Sequence, residues 1–253
     1  MSAGELLYVA LGDSMSIDLY PALDAGEADV AVALERREDA GKVAPLGAAS
    51  LLARNDDARW PEFAGRDLAS RWPRLQTRML ASDGATIGDV FGAQLPVLDE
   101  GTRETVVTIT VGGNDLLSAY STRPRASLME RIVRDIGAGY DAMLDALEER
   151  LPRARLVLTT VYDPSDRTGR IPGVLEDVGK LPLQHLDALN GHIRELARSR
   201  PNAVLADVYG HFLGHGASVE EKHRWYWKRS LIEPSASGAS EIRRVWLDAL
   251  GLD

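Results

Sequence analysis

The chain has 253 residues, 45% hydrophobic and 26% charged, with a net charge of −9 and no cysteine. Such a composition suits a globular domain with a core of useful size and carries no basic footprint for nucleic acid. The lack of cysteine excludes disulfides, thiolate catalysis and cysteine-bound metals. Residues 1–5 show no basic leader and no apolar run is of bilayer length, which predicts a cytoplasmic protein without a membrane span.

In chain order, residues 6–11 (LLYVAL) form an apolar run that stops at Gly12-Asp13-Ser14, the pattern of a buried parallel strand entering a turn. Residues 20–60 mix charges with Ala and Gly and predict an insertion or lid within one domain spanning residues 1–253. Residues 75–80 are a weaker strand candidate, followed by Ser82-Asp83-Gly84-Ala85-Thr86. Residues 106–111 (VVTITV) are a strong one and end at Gly112-Gly113-Asn114-Asp115. A helical stripe of Leu128, Ile132, Ile136, Tyr140, Met143 and Leu147 follows. Residues 155–161 (RLVLTTV) and 203–208 are the last two strands, with a stripe of Leu186, Leu189, Ile193 and Leu196 between them. A final stripe of Ile242, Val245, Trp246 and Ala249 starts after Ser235 or Ser237, either able to cap a helix. Strands alternating with helices predict an α/β fold with a parallel five-stranded sheet covered on both faces. Ligands of such sheets bind beyond the carboxyl ends of the strands. Residues 163–180 and 210–230 fit no periodic pattern; the second contains His211, His215, His223 and Trp225-Tyr226-Trp227.

The strand-end residues carry the chemistry. A serine on a strand-to-helix turn exposes its hydroxyl beside free N–H groups, which suits a nucleophile; its simpler use is as a helix cap. The Asn114 amide can donate to an oxyanion without titrating, or bond its own backbone in a turn. Gly84 offers a backbone N–H, or simply makes a turn.

Together these blocks resemble the GDSL/SGNH hydrolase family. Tyr8-Val9-Ala10-Leu11-Gly12-Asp13-Ser14 is similar to its first block, Gly84 to the glycine of its second, and Gly113-Asn114-Asp115 to its third. Leu189-Asn190 followed by Ile193 resembles a common family helix. The resemblance covers most of the chain apart from residues 20–60. It implies a three-layer α/β/α, flavodoxin-like fold and hydrolysis of a small acyl ester, with no cofactor. It also implies Ser14 as nucleophile, and Ser14 N–H, Gly84 N–H and the Asn114 side chain as oxyanion donors.

The last family block departs. Where Asp-x-x-His-Pro is usual, this chain reads Ser230-Leu231-Ile232-Glu233-Pro234, so Ser230 replaces the aspartate and Glu233 the histidine. A serine hydroxyl needs a base, and a free glutamate with a pKa near 4.3 is a weak one unless burial raises it. Three outcomes stay open. Glu233 acts itself, facing Ser14 because Pro234 and the next helix fix its backbone. A loop histidine enters with Glu233 orienting it, or turnover is lost and a binding protein remains. His215, between Gly214 and Gly216, is the first loop candidate and His211 the second, although each reads more simply as a surface residue. A histidine or desolvated carboxylate touching Ser14 favours the enzyme; a salt-paired Glu233 facing away favours the binder. The Trp225–Trp227 cluster reads as core packing ahead of a pocket wall. The five histidines show no persuasive metal spacing, and His211-x3-His215 is a weak zinc signal.

Overall fold

A strand apolar on both faces needs a layer on each side. β1 (Glu5–Gly12) and β3 (Thr105–Thr110) are buried along nearly their whole length and occupy the middle of the sheet. The computed structural model describes residues 4–27 and 44–252. Its main sheet has the order β2-β1-β3-β4-β5, with β2 at Arg74–Met79, β4 at Ala154–Thr159 and β5 at Ala203–Ala206. Every pairing is parallel, giving the expected five-stranded, flavodoxin-like order.

Alternation along β1 splits the core in two. Val9 and Leu11 join α6 (Ala126–Arg150) and α7 (Gln184–Ser199) through Tyr140, Met143, Leu144 and Ile193. Tyr8 and Ala10 join α9 (Ala236–Leu250) and α2 (Ala48–Ala53) through Ile242, Trp246, Ala48 and Leu52. The order helix, sheet, helix follows. Both described flanks of the 20–60 insertion, α1 (Leu19–Asp24) and α2, contribute buried residues; its middle, residues 28–43, lies outside the described residues.

Several predicted boundaries move for local reasons. The stripe in α6 runs through Met129, not Leu128, which is exposed. Steps of four residues drift by about 40° each on a helix of 3.6 residues per turn, so Leu128 falls well away from the face of Tyr140. β4 stops at Thr159 because Asn190, fully buried on α7, takes both backbone groups of Val161: Val161 N–H donates to its Oδ1 and its Nδ2 donates to the Val161 carbonyl, each at 2.8 Å. β5 stops at Ala206 because Asp207 caps α8 (Val208–Phe212), accepting from Gly210 N–H. The aperiodic 210–230 segment ends in β6 (Tyr226–Trp227), which pairs antiparallel with β7 (Ser230–Pro234). That hairpin is not foreseen by the sequence pattern, since two paired residues are too short for a period.

Candidate active site

β1 delivers Ser14 to the carboxyl edge of the sheet through a sharp turn. Gly12 sits at φ 116°, and a β-carbon there would lie 1.8 Å from the Thr110 carbonyl oxygen. Gln94 reads both backbone groups of Gly12, accepting its N–H at 2.8 Å and donating to its carbonyl at 2.9 Å. Asp13 N–H donates to the Thr110 carbonyl at 2.8 Å, and the Asp13 carboxyl accepts Met15 N–H at 3.1 Å. The expectation of a helix directly after Ser14 is corrected here: residues 14–16 form a turn, and α1, only six residues long, begins at Leu19. The rigid hydrogen-bonded turn, rather than a helix terminus, holds Ser14. Its side chain is buried, with a relative exposure of 8%.

The third motif opens α5 (Gly113–Ser121), so Asn114 stands in the first turn of a helix. Its Nδ2 donates to the Ala85 carbonyl at 3.0 Å, and Asp115 accepts Ile87 N–H. These bonds clamp the 84–87 loop onto the start of α5. An amide nitrogen has two protons, and Ala85 takes one. Gly84 turns at φ 72° in the exposed loop after β2, with Asp83 beside it accepting from the Tyr20 hydroxyl at 2.9 Å. Asn114 and Ser14 line one cavity; Gly84 stands outside its lining.

Glu233 enters the same cavity from β7. Its backbone is fixed on both sides. Pro234 pairs with Tyr226, Ser235 N–H donates to the Trp225 carbonyl at 2.9 Å, and the Ser235 side chain caps α9 by accepting Gly238 N–H at 3.0 Å. The Glu233 side chain is buried and lines the cavity together with Ser14, while its Oε2 has no partner among the described residues. Burial pushes the carboxyl up to about 8. The Ser14 hydroxyl opposes the rise, and the carboxylates of Asp83 and Asp13 add to it. Burial likewise pushes Asp13 up to about 7, against the hydrogen bonds from Met15 and Thr110. Among the described residues no lysine, arginine or histidine lines this cavity.

The structure does not bring the remaining sequence candidates to Ser14. His215 lies outside the cavity, stacked on Trp225 with ring centroids 3.5 Å apart, its Nδ1 donating to the His223 carbonyl at 2.8 Å. The close approach its flanking glycines permit is real, but the neighbour differs. A β-carbon on Gly216 would meet the Pro164 carbonyl at 2.5 Å, and Asp166 accepts the N–H groups of Gly214 and Gly216. His211 pairs with Glu241 at 2.8 Å. Ser230, beside the turn of the hairpin, pairs with Trp227. Trp227 packs on Tyr20 and Trp225 on His215, so the tryptophans build the wall that carries Glu233 and do not line the cavity. Among the described residues no cluster of histidine and carboxylate groups could hold a metal.

Sequence reasoning missed the apolar wall: Leu116, Leu117 and Tyr120 of α5, Val161 and Tyr162 after β4, and Ile171, Leu181, Leu183 and Leu186 beyond them. Asp163 also lines the cavity, its carboxyl accepting from Ser165 N–H, the Ser165 hydroxyl and Arg167 N–H. The available signal was position, since 163–183 follows a strand end on the ligand-binding edge of a parallel sheet.

Comparison with known proteins decides the family. The model of the GDSL-like lipase/acylhydrolase family matches residues 10–239, which includes Ser14, Gly84, Asn114 and Glu233. The chain belongs to the GDSL-like lipase/acylhydrolase family. Membership places it among hydrolases of ester substrates. No curated protein sequence matches it. Solved structures share the GDSL fold at low identity. An extracellular lipase from Streptomyces rimosus is 21% identical with a TM-score of 0.61, over 96% of this chain and 99% of that one. Phospholipase A1 from Streptomyces albidoflavus is 21% identical with a TM-score of 0.57, over 98% and 100%. An acetyl xylan esterase from Geobacillus stearothermophilus is 17% identical with a TM-score of 0.57, over 100% and 96%. No helix among the described residues of this GDSL-family chain is long and apolar enough to cross a membrane.

Proposed function

We propose that the chain hydrolyses a small, uncharged acyl ester through Ser14, with Glu233 as the base. The observation that carries the reading is the buried Glu233 carboxyl lining one cavity with Ser14, close enough for the Ser14 hydroxyl to favour its charged form. A base works best when its pKa lies near the working pH, and a glutamate lifted to about 8 meets that condition where an exposed one does not. The ionised carboxylate takes the Ser14 proton as Oγ bonds to the ester carbonyl carbon. The oxyanion is held by the second Asn114 Nδ2 proton and by the N–H of Ser14, with Gly84 left out because it stands outside the cavity lining. The tetrahedral species collapses with loss of the alkoxide, which takes the proton back from Glu233. Water then attacks the acyl-serine, giving its proton to Glu233, and the acid leaves as Ser14 is reprotonated. The uncharged substrate follows from a cavity with apolar walls and, among the described residues, no cation to meet an anionic group.

A second reading, binding without turnover, is favoured because no histidine lines the cavity among the described residues. The two separate in one assay. Hydrolysis of p-nitrophenyl acetate and butyrate that disappears in Ser14→Ala supports the enzyme; equal release by wild type and Ser14→Ala supports the binder.

A further inference from the structure

The Ser14 cavity and a second, larger groove share one side chain. Tyr120 lines both. The cavity measures about 90 Å³ and the groove about 590 Å³. The rest of the partition is one extended segment. Leu181 and Leu183 line the cavity, while Pro182 and Gln184 line the groove. The Tyr120 hydroxyl donates to the Pro182 carbonyl at 3.2 Å, tying the ring across the gap between α5 and that segment. The ring is buried, and its tilted neighbour is His185 on the groove side, 6.0 Å away. Behind it the groove offers apolar surface from Pro124, Ala126, Met129 and Val178. An Arg123–Asp177 ion pair joins the two sides of its rim.

The direction is also set. Asn114, Leu117 and Tyr120 all line the cavity and recur at every third residue of α5. Six residues of helix span about 9 Å, so Tyr120 stands roughly that far from the oxyanion donor. An apolar cavity that admits benzene measures about 150 Å³, and the cavity here is smaller. An acetyl or butyryl group fits that space; an octanoyl chain does not unless it passes Tyr120.

We infer that Tyr120 is a specificity-determining gate: its ring ends the acyl site at short chains, and the 120–130/177–185 groove behind it is a second acyl subsite that opens when the ring is removed. The inference rests on the reading of Ser14 as the nucleophile. Tyr120 touches the acyl end of the substrate and takes no part in proton transfer.

The test compares wild type, Tyr120→Ala and Tyr120→Phe on p-nitrophenyl butyrate and octanoate. It adds calorimetric binding of butyramide and decanamide, which needs no turnover. Wild type is expected to favour butyrate. Tyr120→Ala should raise the octanoate-to-butyrate ratio of kcat/KM at least tenfold and bind decanamide at least tenfold tighter. Tyr120→Phe keeps the ring and should keep the short-chain preference. Leu117→Phe, which narrows the cavity without touching the partition, should shift preference further toward acetate and serves if Tyr120→Ala does not fold. A folded Tyr120→Ala variant with unchanged octanoate ratio and unchanged decanamide affinity overturns the inference, as does a wild type that turns over octanoate as well as butyrate. Absent hydrolysis in every variant, with decanamide binding gained in Tyr120→Ala, would instead overturn the nucleophile reading and leave the gate standing.

Discussion

In the proposed mechanism Glu233 decides the chemistry at the scale of single residues. A carboxyl held up to about 8 by burial is mostly protonated at neutral pH, and only its ionised fraction accepts a proton there. The kcat/KM of the free enzyme is therefore expected to rise with pH through about 8, in the limb that reports the base. Asp83 and Asp13 both push Glu233 upward through their charge. Asp83→Asn keeps an acceptor for Tyr20 and removes that charge, so it should move the limb to lower pH. A limb that stays in place or moves upward would contradict the electrostatic account. Asn114→Ala removes one oxyanion donor and should lower turnover by about 10²–10³, measured on p-nitrophenyl butyrate at saturation. The sequence made Ser14, Asn114 and Glu233 legible because each sits at a fixed offset from a glycine or proline at the sheet's edge. It gave no access to Glu233's environment. Burial comes from Tyr162, Ile232 and the hairpin, distant in sequence or aperiodic, and a pKa follows burial. The same lack of local signal let His215 stand as a candidate when its partner is the face of Trp225.

Two fastenings matter at the scale of elements. Asn190 of α7 holds the end of β4 by both backbone groups of Val161, and Val161 begins the wall of the cavity. Asn190→Leu leaves a buried N–H and a buried carbonyl without partners, a loss of about 1–3 kcal/mol for each group. Chemical denaturation should read that loss, and KM should rise as the wall loosens while the pH limb stays in place. Gly12 is the second. Alanine there forces a left-handed backbone against the Thr110 carbonyl. It should cost about 1–3 kcal/mol in backbone strain alone, and the displacement of Ser14 should slow turnover as well. The buried strands were readable because apolar runs are long enough to show a pattern, while β2, mostly exposed at the edge, gave only a weak one. Their ends were not, since Asn190 and Asp207 act from other elements or as caps that override the run. The β6–β7 hairpin, which positions Glu233, has too few residues for any period.

The raised carboxyls also shape the stability of the molecule as a whole. A carboxyl whose folded pKa exceeds its unfolded value binds protons more tightly in the native state. Its stabilisation is full below the unfolded value and is lost as pH rises through the folded one. For Glu233 the window runs from 4.5 to about 8, and for Asp13 from 3.8 to about 7. The Tm should therefore fall between about pH 5 and pH 9, with the net charge of −9 acting in the same direction through self-repulsion. Glu233→Gln should flatten that fall and be more stable than wild type at the alkaline end. A Tm difference between the two proteins that does not grow with pH would show that Glu233 is not desolvated. The layer order of the molecule was plain from alternating strand and helix patterns. The two-chambered arrangement on either side of Tyr120 was not, because it depends on where 163–185 folds back over α5.

The central claim is that Ser14 is activated by Glu233, and the rate of covalent labelling by a fluorophosphonate probe, followed against pH, tests it most directly. The expected result is a single adduct on Ser14, absent in Ser14→Ala. The labelling rate of the wild type should climb through about pH 8, with Glu233→Gln slower by about 10² or more and nearly flat with pH. Glu233→Gln labelled as fast as wild type across that range would contradict the account.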